Sequence, residues 1–231
     1  MPPNEETINL SLQAGLIYGI VGPDNLLISR WLDTLAIITQ PAAGHVEFLN
    51  KATHNLNREH WQNLRTTLAY INHQTTLLSA LNTQENILLP ALYHRLLPRE
   101  SLLENMYLLL NDIGFTGVEN LTKLPAYLDQ LAYFQAVLVR LVLTKPKLTI
   151  FDNCFRLFNQ RLSNQLFNFV KSQTDFTTSS LVISDDNSDL VLAQAHHIIF
   201  IDETSLIEYD SVDKFHASTS PNVLNYINNL D

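Results

Sequence analysis

Residues 19 to 32 read Gly-Ile-Val-Gly-Pro-Asp-Asn-Leu-Leu-Ile-Ser-Arg-Trp-Leu, and they contain the turn that decides the fold. The apolar run 16–21 predicts a buried strand, and residues 25–38 carry apolar residues at helical spacing. Between them come Gly22 and the polar pair Asp24 and Asn25. The side-chain oxygens of this pair can accept hydrogen bonds from the free backbone N–H groups at a helix start. The stretch therefore predicts a strand, a tight turn and a helix that caps its own first turn.

The same stretch resembles a phosphate-binding loop of the pattern G-x-x-x-x-G-K-[ST], in which backbone N–H groups cradle phosphates. Gly22 and Ser29 match its two ends, but Leu27 replaces the second glycine and Ile28 replaces the lysine. A leucine side chain obstructs close approach of a phosphate to the backbone. Without the lysine, the turn loses an electrostatic attraction of roughly 4 kcal/mol, the value for a unit charge about 4 Å from a phosphate oxygen. Phosphate binding is therefore expected to be weak or absent, although a strand–turn–helix unit without any nucleotide ancestry would share this local pattern.

Composition excludes several functional classes. The chain has 231 residues, 46% of them hydrophobic, and a formal net charge of −9. No apolar run reaches the roughly 18 residues that a membrane span needs, and the N-terminus lacks the basic and apolar regions of a signal peptide. The acidic balance argues against nucleic-acid binding. A single cysteine, Cys154, excludes an internal disulfide and is typical of a reducing compartment. These features predict a soluble, cytoplasmic protein.

The chain alternates predicted strands and helices. Strands are predicted at 16–21, 45–49, 67–72, 148–151, 180–184 and 197–201, and helices at 25–38, 84–94, 99–112, 128–143, 158–172 and 187–195. This order predicts an α/β fold with a mixed, mostly parallel sheet, interrupted by a helical insertion. We expect one domain over 1–231. Its α/β core would comprise about 1–74 and 138–231, and its helical subdomain about 75–137.

A set of residues, here called framework residues, occurs in a recognisable order along the chain. They are Gly19-Ile-Val-Gly-Pro, Pro41, Gly44, Asn82, Asn86, Pro90, Leu128, Arg140, Phe151-Asp152, Phe155 and the C-terminal run 220–231. Their order and spacing resemble the ATP-binding subunits of ABC transporters, and most closely those of Mla-type, MCE-associated phospholipid transporters. The resemblance implies a P-loop NTPase fold, the ABC nucleotide-binding domain. It also implies a subunit docked on a permease at the cytoplasmic face of the inner membrane.

The resemblance also shows which functional positions have changed. Asn153 stands where the family has its general-base glutamate, and an amide cannot take a proton from water. Asp185 stands at the switch histidine and cannot donate to a γ-phosphate when ionised. The Q-loop glutamine falls on His73, although a shift by one residue would restore it at Gln74. The signature reads Leu128-Asp129-Gln130-Leu131-Ala132, which places a carboxylate and a bulky side chain where the family has serine and glycine. Ser29 and Asp152, both magnesium-associated in the family, are retained.

The remaining histidine, cysteine and aspartate candidates are expected to have structural rather than catalytic roles. His196 and His197 are adjacent, so their rings are expected to point in different directions and not to share a metal. Cys154 is expected to be a buried small hydrophobe. Asp185 and Asp186 could hold a cation together with Asp152, but capping of the following helix explains them. No metal site is predicted.

The favoured hypothesis is a catalytically degenerate ABC subunit, a pseudo-ATPase with a structural or regulatory role. It would dock on a permease through the groove near residues 73–92, with neither ATP nor Mg²⁺ as an expected cofactor. One alternative is a weak or composite-site ATPase that uses Ser29 and Asp152, as a homodimer or as a heterodimer with an intact ABC ATPase. Another is a regulator that occupies the dimer interface of a different ATPase.

Overall fold

The computed structural model describes residues 9–72 and 74–230. Eight strands are described there: β1 (Ile17–Val21), β2 (Glu47–Phe48), β3 (Lys51–Ala52), β4 (Leu68–Asn72), β5 (Leu148–Asp152), β6 (Ser180–Ser184), β7 (His197–Ile201) and β8 (Leu206–Tyr209). The α-helices are α1 (Asn25–Leu35), α2 (Arg58–Thr67), α3 (Thr83–Tyr93), α4 (Arg99–Asp112), α5 (Gln130–Thr144), α6 (Gln160–Gln173), α7 (Ser188–Gln194), α8 (Val212–His216) and α9 (Pro221–Asn228). None of these helices combines the length and hydropathy that crossing a bilayer requires.

Six strands form the central sheet in the order β4-β5-β6-β1-β7-β8. The first five run parallel, and β8 pairs antiparallel with β7. Every residue of β1, β5 and β6 is buried, as expected for parallel strands covered on both faces. The predicted mostly parallel α/β sheet is confirmed.

Successive side chains of β1 point to opposite faces of the sheet, and the core therefore has two layers. Ile17 and Val21 belong to the larger apolar cluster, which also contains buried residues of α3 to α7. Tyr18 and Ile20 point to the opposite face and pack in a second cluster that includes Ile28 from α1. Helix α1 therefore lies on the face of the sheet opposite the helical segment.

The helical segment is anchored by one buried amide. The Asn86 side chain on α3 is 1% exposed. Its Nδ2 donates to the carbonyls of Leu78, Leu81 and Asn82, and its Oδ1 accepts from the Leu78 N–H. The segment before α3 is thereby tied to the helix by four hydrogen bonds from one side chain. The predicted helices 84–94, 99–112 and 128–143 are confirmed, with α4 at the predicted bounds.

Several predicted elements differ from the structure. The strand predicted at 45–49 is only Glu47–Phe48, and it pairs antiparallel with β3 outside the main sheet. The first helix ends at Leu35 rather than at residue 38, because Ile37 adopts a left-handed backbone with φ of 57° that a helix cannot continue. Helices α2, α8 and α9 and strands β3 and β8 were not predicted. These elements are short, and they are held by neighbours distant in sequence: α2 packs against β4, and α8 packs against β7, β8 and α9.

Gly22 is required by packing within the sheet. A Cβ built on Gly22 would lie 2.0 Å from the carbonyl oxygen of Ile201, the last residue of the neighbouring strand β7. Backbone cannot move aside as a flexible side chain does. The glycine that opens the turn therefore has a structural reason to be there, independent of any ligand.

Gly22→Ala should lower the free energy of unfolding by roughly 3 kcal/mol, because the added methyl forces β1 and β7 apart. Gly44→Ala is the matched control. Gly44 has φ of +80° and open space around the Cβ position, so only backbone strain of about 1 kcal/mol is expected. Urea denaturation followed by circular dichroism compares the two. Equal losses would contradict the packing explanation.

Candidate functional site

The turn after β1 directs its backbone amides at its own carboxylate. Asp24 is the N-cap of α1, and its Oδ1 accepts from the N–H groups of Leu26 at 2.8 Å and Leu27 at 3.1 Å. Its carbonyl oxygen accepts from the Ile28 N–H at 3.0 Å. The predicted capping by Asp24 is confirmed. Asn25 was expected to accept as well, but it is the first helical residue, and its amide instead donates to Asp186 Oδ1 at 2.6 Å.

The side chain at the lysine-like position points into the core. Ile28 is 2% exposed and packs with Tyr18, Ile20 and Leu32 under the sheet. Because α1 already begins at Asn25, residue 28 lies in the sheet-facing stripe of the helix rather than at the mouth of a loop. Residues 22 to 29 contain no lysine, arginine or histidine. The turn therefore presents no cation.

Ser29 and Asp152, the two retained positions that are magnesium-associated in the family, are in direct contact. Ser29 Oγ donates to Asp152 Oδ1 at 3.0 Å. The other oxygen, Oδ2, accepts from the Tyr70 hydroxyl at 2.6 Å, and Asp152 is only 4% exposed. Burial, the hydrogen bond to Asp152 and the nearby Asp33 raise the pKa of Tyr70, so the phenol stays protonated and donates at neutral pH.

Tyr70 was not among the predicted site residues. It lies on β4, which pairs in parallel with β5 so that Asn72 is opposite Asp152. The sequence did contain a signal, because residues 70 and 72 share one face of a strand that was predicted at 67–72. Without the sheet order, nothing in the sequence placed that strand beside the one ending at Asp152.

Asn153 and Asp185 form the neighbouring loops. Asn153 has a left-handed backbone with φ of 47°, and its side-chain oxygen accepts from the Asp186 N–H at 3.3 Å. The Asp185 carboxylate accepts from the N–H groups of Phe155 and Asn187 at 3.0 and 3.1 Å. Burial raises the pKa of Asp185, and Asp186 adds to the effect, while the two backbone hydrogen bonds oppose it.

The residue that caps α7 is Asn187, whose Oδ1 accepts from the Leu190 N–H. The expectation that Asp185 and Asp186 cap this helix is therefore wrong. Asp185 accepts from the N–H groups of Phe155 and Asn187, and Asp186 accepts from the Asn25 side chain. Among the described residues, no group of three or more His, Cys, Asp or Glu side chains is placed to hold a metal.

The signature-like segment repeats the self-capping of the first turn. Asp129 is the N-cap of α5, and its Oδ1 accepts from the Ala132 N–H at 2.8 Å. Leu128 precedes the cap, Gln130 is exposed, and Leu131 packs against the large core cluster. Gln74 is exposed and its backbone N–H donates to Asn72 Oδ1. His73 lies outside the described residues.

An acidic cleft of about 760 Å³ opens beside the turn. It lies between the start of α1, the loop after β7 and helix α9. Its carboxylates are Asp24, Asp185, Asp186, Asp202 and Glu203. Of the described residues that line it, none is lysine, arginine or histidine. Each carboxylate that stays ionised raises the electrostatic free energy of a polyanion placed in this cleft.

The two histidines and the cysteine have structural roles. His196 Nδ1 accepts from the Ile17 N–H at 3.2 Å, and the His197 ring packs edge-on against Tyr18 with centroids 5.5 Å apart. Cys154 is 7% exposed, and burial raises the pKa of its thiol well above the ordinary range, with Asp185 and Asp152 adding to the shift. The thiol therefore stays neutral, as a small buried hydrophobe would.

Comparison with known proteins assigns the family. A family model described as ABC transporter matches residues 6–156, which is more than half of the chain. The chain therefore belongs to the ABC transporter family and is the ATP-binding cassette of a membrane transporter. The narrower assignment to the Mla type stays a prediction.

Individual relatives are distant. The lipoprotein-releasing system ATP-binding protein LolD of Rickettsia felis is 23% identical over 79% of this chain and 80% of its own length. The methionine import ATP-binding protein MetN 1 of Paraburkholderia xenovorans is 20% identical over 89% of this chain, which spans 59% of that relative. The solved dimeric structure of MJ0796, a bacterial ABC transporter cassette, superposes with a TM-score of 0.76 at 16% identity over 88% of each chain. CbiO1 of Clostridium perfringens gives 0.75 at 17% identity, covering 96% of this chain and 86% of that one. The predicted P-loop NTPase cassette fold is confirmed.

The raised pKa of Asp185 predicts a pH dependence of stability. The folded state holds this proton more tightly than the unfolded chain, so its contribution is full below the ordinary pKa of 3.8 and is lost as pH rises through the folded-state pKa. Asp185→Asn cannot titrate. The difference in unfolding free energy between the parent chain and Asp185→Asn should therefore fall as pH rises from 4 toward neutrality, measured by urea denaturation. A difference independent of pH would contradict the shift.

Proposed function

We propose that this chain is a catalytically degenerate ABC cassette that serves its transporter as a structural or regulatory subunit. One observation carries the proposal: Ile28, at the lysine-like position, is 2% exposed and packs in the core, so no cation accompanies the Leu26 and Leu27 amides, which donate to the Asp24 carboxylate. In an intact loop such amides bind phosphate oxygens. A nucleotide phosphate would have to displace the Asp24 carboxylate from these amides. Because Asp24 is part of the turn, the two anions would then lie side by side. The absence of a cation at Ile28 removes the attraction that could offset this cost.

The catalytic positions support the same proposal. Asn153 offers an amide where a general base is needed, and its oxygen is already engaged by the Asp186 N–H. Asp129 caps its own helix where the family's signature approaches the γ-phosphate of the opposite subunit. The Asp185 carboxylate accepts two backbone N–H groups and has no proton to donate when ionised. Each position fits structural hydrogen bonding better than phosphoryl transfer.

Magnesium and ATP are accordingly not expected as cofactors. Both oxygens of Asp152 already accept hydrogen bonds, from Ser29 and Tyr70. The acidic cleft beside the turn would attract cations in general, but its carboxylates are spread over four segments and several are engaged by backbone or amide donors. The residues present therefore do not fit a Mg²⁺-nucleotide.

The proposed partner is a membrane permease, at the cytoplasmic face of the inner membrane. The candidate docking groove near 73–92 carries exposed apolar side chains, since Leu78 is 52% and Leu89 is 38% exposed. Tyr93, at the end of α3, is 69% exposed. Asn86 holds the preceding segment rigidly against α3, so this surface is preorganised. Preorganisation suits docking because little ordering remains to be done on binding.

The proposed cargo is phospholipid, through a transporter of the Mla type that works with MCE proteins. This part rests on the resemblance of the framework residues and of the C-terminal run. The described part of that run forms α9, where Val223 is fully buried and Tyr226 stacks against Phe200. The relatives named for lipoprotein release and methionine import show that the same cassette fold serves different cargoes.

A second candidate function is a weak or composite ATPase. The observation that favours it is the direct contact of Ser29 with Asp152, the two magnesium-associated positions that the chain retains. In a homodimer, or in a heterodimer with an intact ABC ATPase, a partner would supply the remaining catalytic groups. Such a dimer could also serve regulation, with this chain occupying the interface of a working ATPase.

Nucleotide binding decides between these functions. The purified chain titrated calorimetrically with Mg-ATP to about 1 mM should show no saturable binding, because the turn offers neither free amides nor a cation. The Rickettsia felis LolD relative, named as an ATP-binding protein, is the positive control. ATP turnover by the chain that disappears in Ser29→Ala and in Asp152→Asn would establish the ATPase instead.

Permease docking is tested with two matched leucine variants. Leu89→Ser on α3 should weaken co-purification with the permease encoded beside this chain's gene by about tenfold or more, because it removes an apolar contact from the groove. Leu224→Ser on α9 is the control, since Leu224 is 41% exposed and Leu89 is 38% exposed. Equal retention of both variants would contradict docking through this groove, and no complex with the parent chain would contradict docking altogether.

A further inference from the structure

The Asp152 carboxylate is nearly buried, and no cation pairs with it among the residues that the structure describes. It is 4% exposed at the end of β5. The ion pairs found among the described residues join His45 to Glu47 and Lys214 to Asp210, and neither reaches Asp152. A buried carboxylate is stable only when a cation or several hydrogen-bond donors compensate the lost hydration. Here the compensation comes from two neutral hydroxyl groups.

The two hydroxyls come from different layers of the fold. Ser29 reaches Oδ1 from α1, which packs on one face of the sheet, and Tyr70 reaches Oδ2 from the adjacent strand β4. The phenolic contact, at 2.6 Å, is the shorter of the two. A second carboxylate, Asp33, follows Ser29 by one helical turn and also lies close to the phenol. The Tyr70 hydroxyl therefore stands near two carboxylates.

We propose that the phenol of Tyr70 substitutes for a divalent cation at Asp152, and so keeps the edge of the sheet intact without metal. The hydroxyl lies against Asp152 Oδ2 and near Asp33, where a metal ion would otherwise balance the two negative charges. It supplies a hydrogen bond and fills the space that the ion needs. The proposal shares the vestigial site of the proposed function, but it concerns the metal position and requires nothing of the nucleotide.

The proposed role of the phenol has a direct consequence for the Tyr70→Phe variant. Phenylalanine keeps the ring and its packing but removes the donor, so Asp152 Oδ2 is left without a partner. The oxygen atom removed also leaves space between Asp152 and Asp33. A divalent cation entering from solvent can then take over the role of the phenol. Removing one hydroxyl should therefore both destabilise the fold and create sensitivity to metal.

The test measures thermal unfolding and Mn²⁺ binding of the full chain, without nucleotide. In EDTA, Tyr70→Phe should lower Tm by roughly 4 to 8 °C, and millimolar MnCl₂ should restore a large part of that loss. The parent chain should show no comparable response to MnCl₂. Loss of the free Mn²⁺ signal in electron paramagnetic resonance should report about one additional ion per Tyr70→Phe chain.

Two further variants separate this effect from general loosening. Tyr209→Phe also removes a phenolic hydrogen bond, of 2.7 Å to Ser218 Oγ, but no carboxylate is involved. It should lower Tm without any recovery in MnCl₂. Tyr70→Phe combined with Asp152→Asn should bind no additional Mn²⁺, because the charge that attracts the ion is gone.

Three outcomes would overturn the proposal. They are a Tyr70→Phe chain as stable as the parent, a destabilised chain that gains no Mn²⁺ response, or a parent chain that binds Mn²⁺ as well as the variant does. Failure of the proposed function gives a different result, namely saturable Mg-ATP binding or turnover by the parent chain. The metal titrations omit nucleotide, so each idea can fail without the other.

Discussion

The rest of the nucleotide-site region depends on the hydrogen bonds that the Leu26 and Leu27 amides donate to the Asp24 carboxylate. This cap lets α1 begin at Asn25, three residues before Ile28. An early helix start leaves no extended loop to wrap a ligand, and it rotates Ile28 into the sheet-facing cluster. The first turn of a helix carries a partial positive charge that must be satisfied. In this chain the protein itself supplies the anion.

Two other loops at the positions of the family's nucleotide site also have backbone N–H groups bonded to a side-chain carboxylate. Asp129 caps α5, and Asp185 accepts two backbone N–H groups in the loop after β6. In each case a side-chain carboxylate occupies donors near the nucleotide positions of the family. Of these carboxylates, Asp24 and Asp185 line the acidic cleft at the carboxyl edge of the sheet. Side-chain carboxylates therefore satisfy backbone donors in these loops, and they add negative charge that disfavours a polyphosphate, in agreement with the proposed function.

Retained residues have their own structural explanations. Gly22 is needed because a side chain would collide with Ile201, and Ser29 is needed because it compensates the buried Asp152. Residues that resemble a nucleotide site can thus persist through packing and hydrogen bonding alone. Conversely, Leu78, Leu89 and Tyr93 leave a large part of their apolar surface exposed, which supports the proposed docking. Both kinds of residue support the proposal of a cassette that is kept for its shape and surfaces.

The amino-acid sequence by itself determined the order of most strands and helices and the self-capping by Asp24, because periodicity and cap chemistry are local signals. Sequence reasoning missed α2, β3, β8, α8 and α9, and it misassigned the capping of α7 to Asp185 and Asp186. Only the tertiary structure decided that Ile28 is buried, that Asn25 reaches Asp186 and that Tyr70 closes the Asp152 site. Those contacts join segments far apart in the chain, and they exist because parallel pairing brings β4 beside β5 and packs α1 across the sheet.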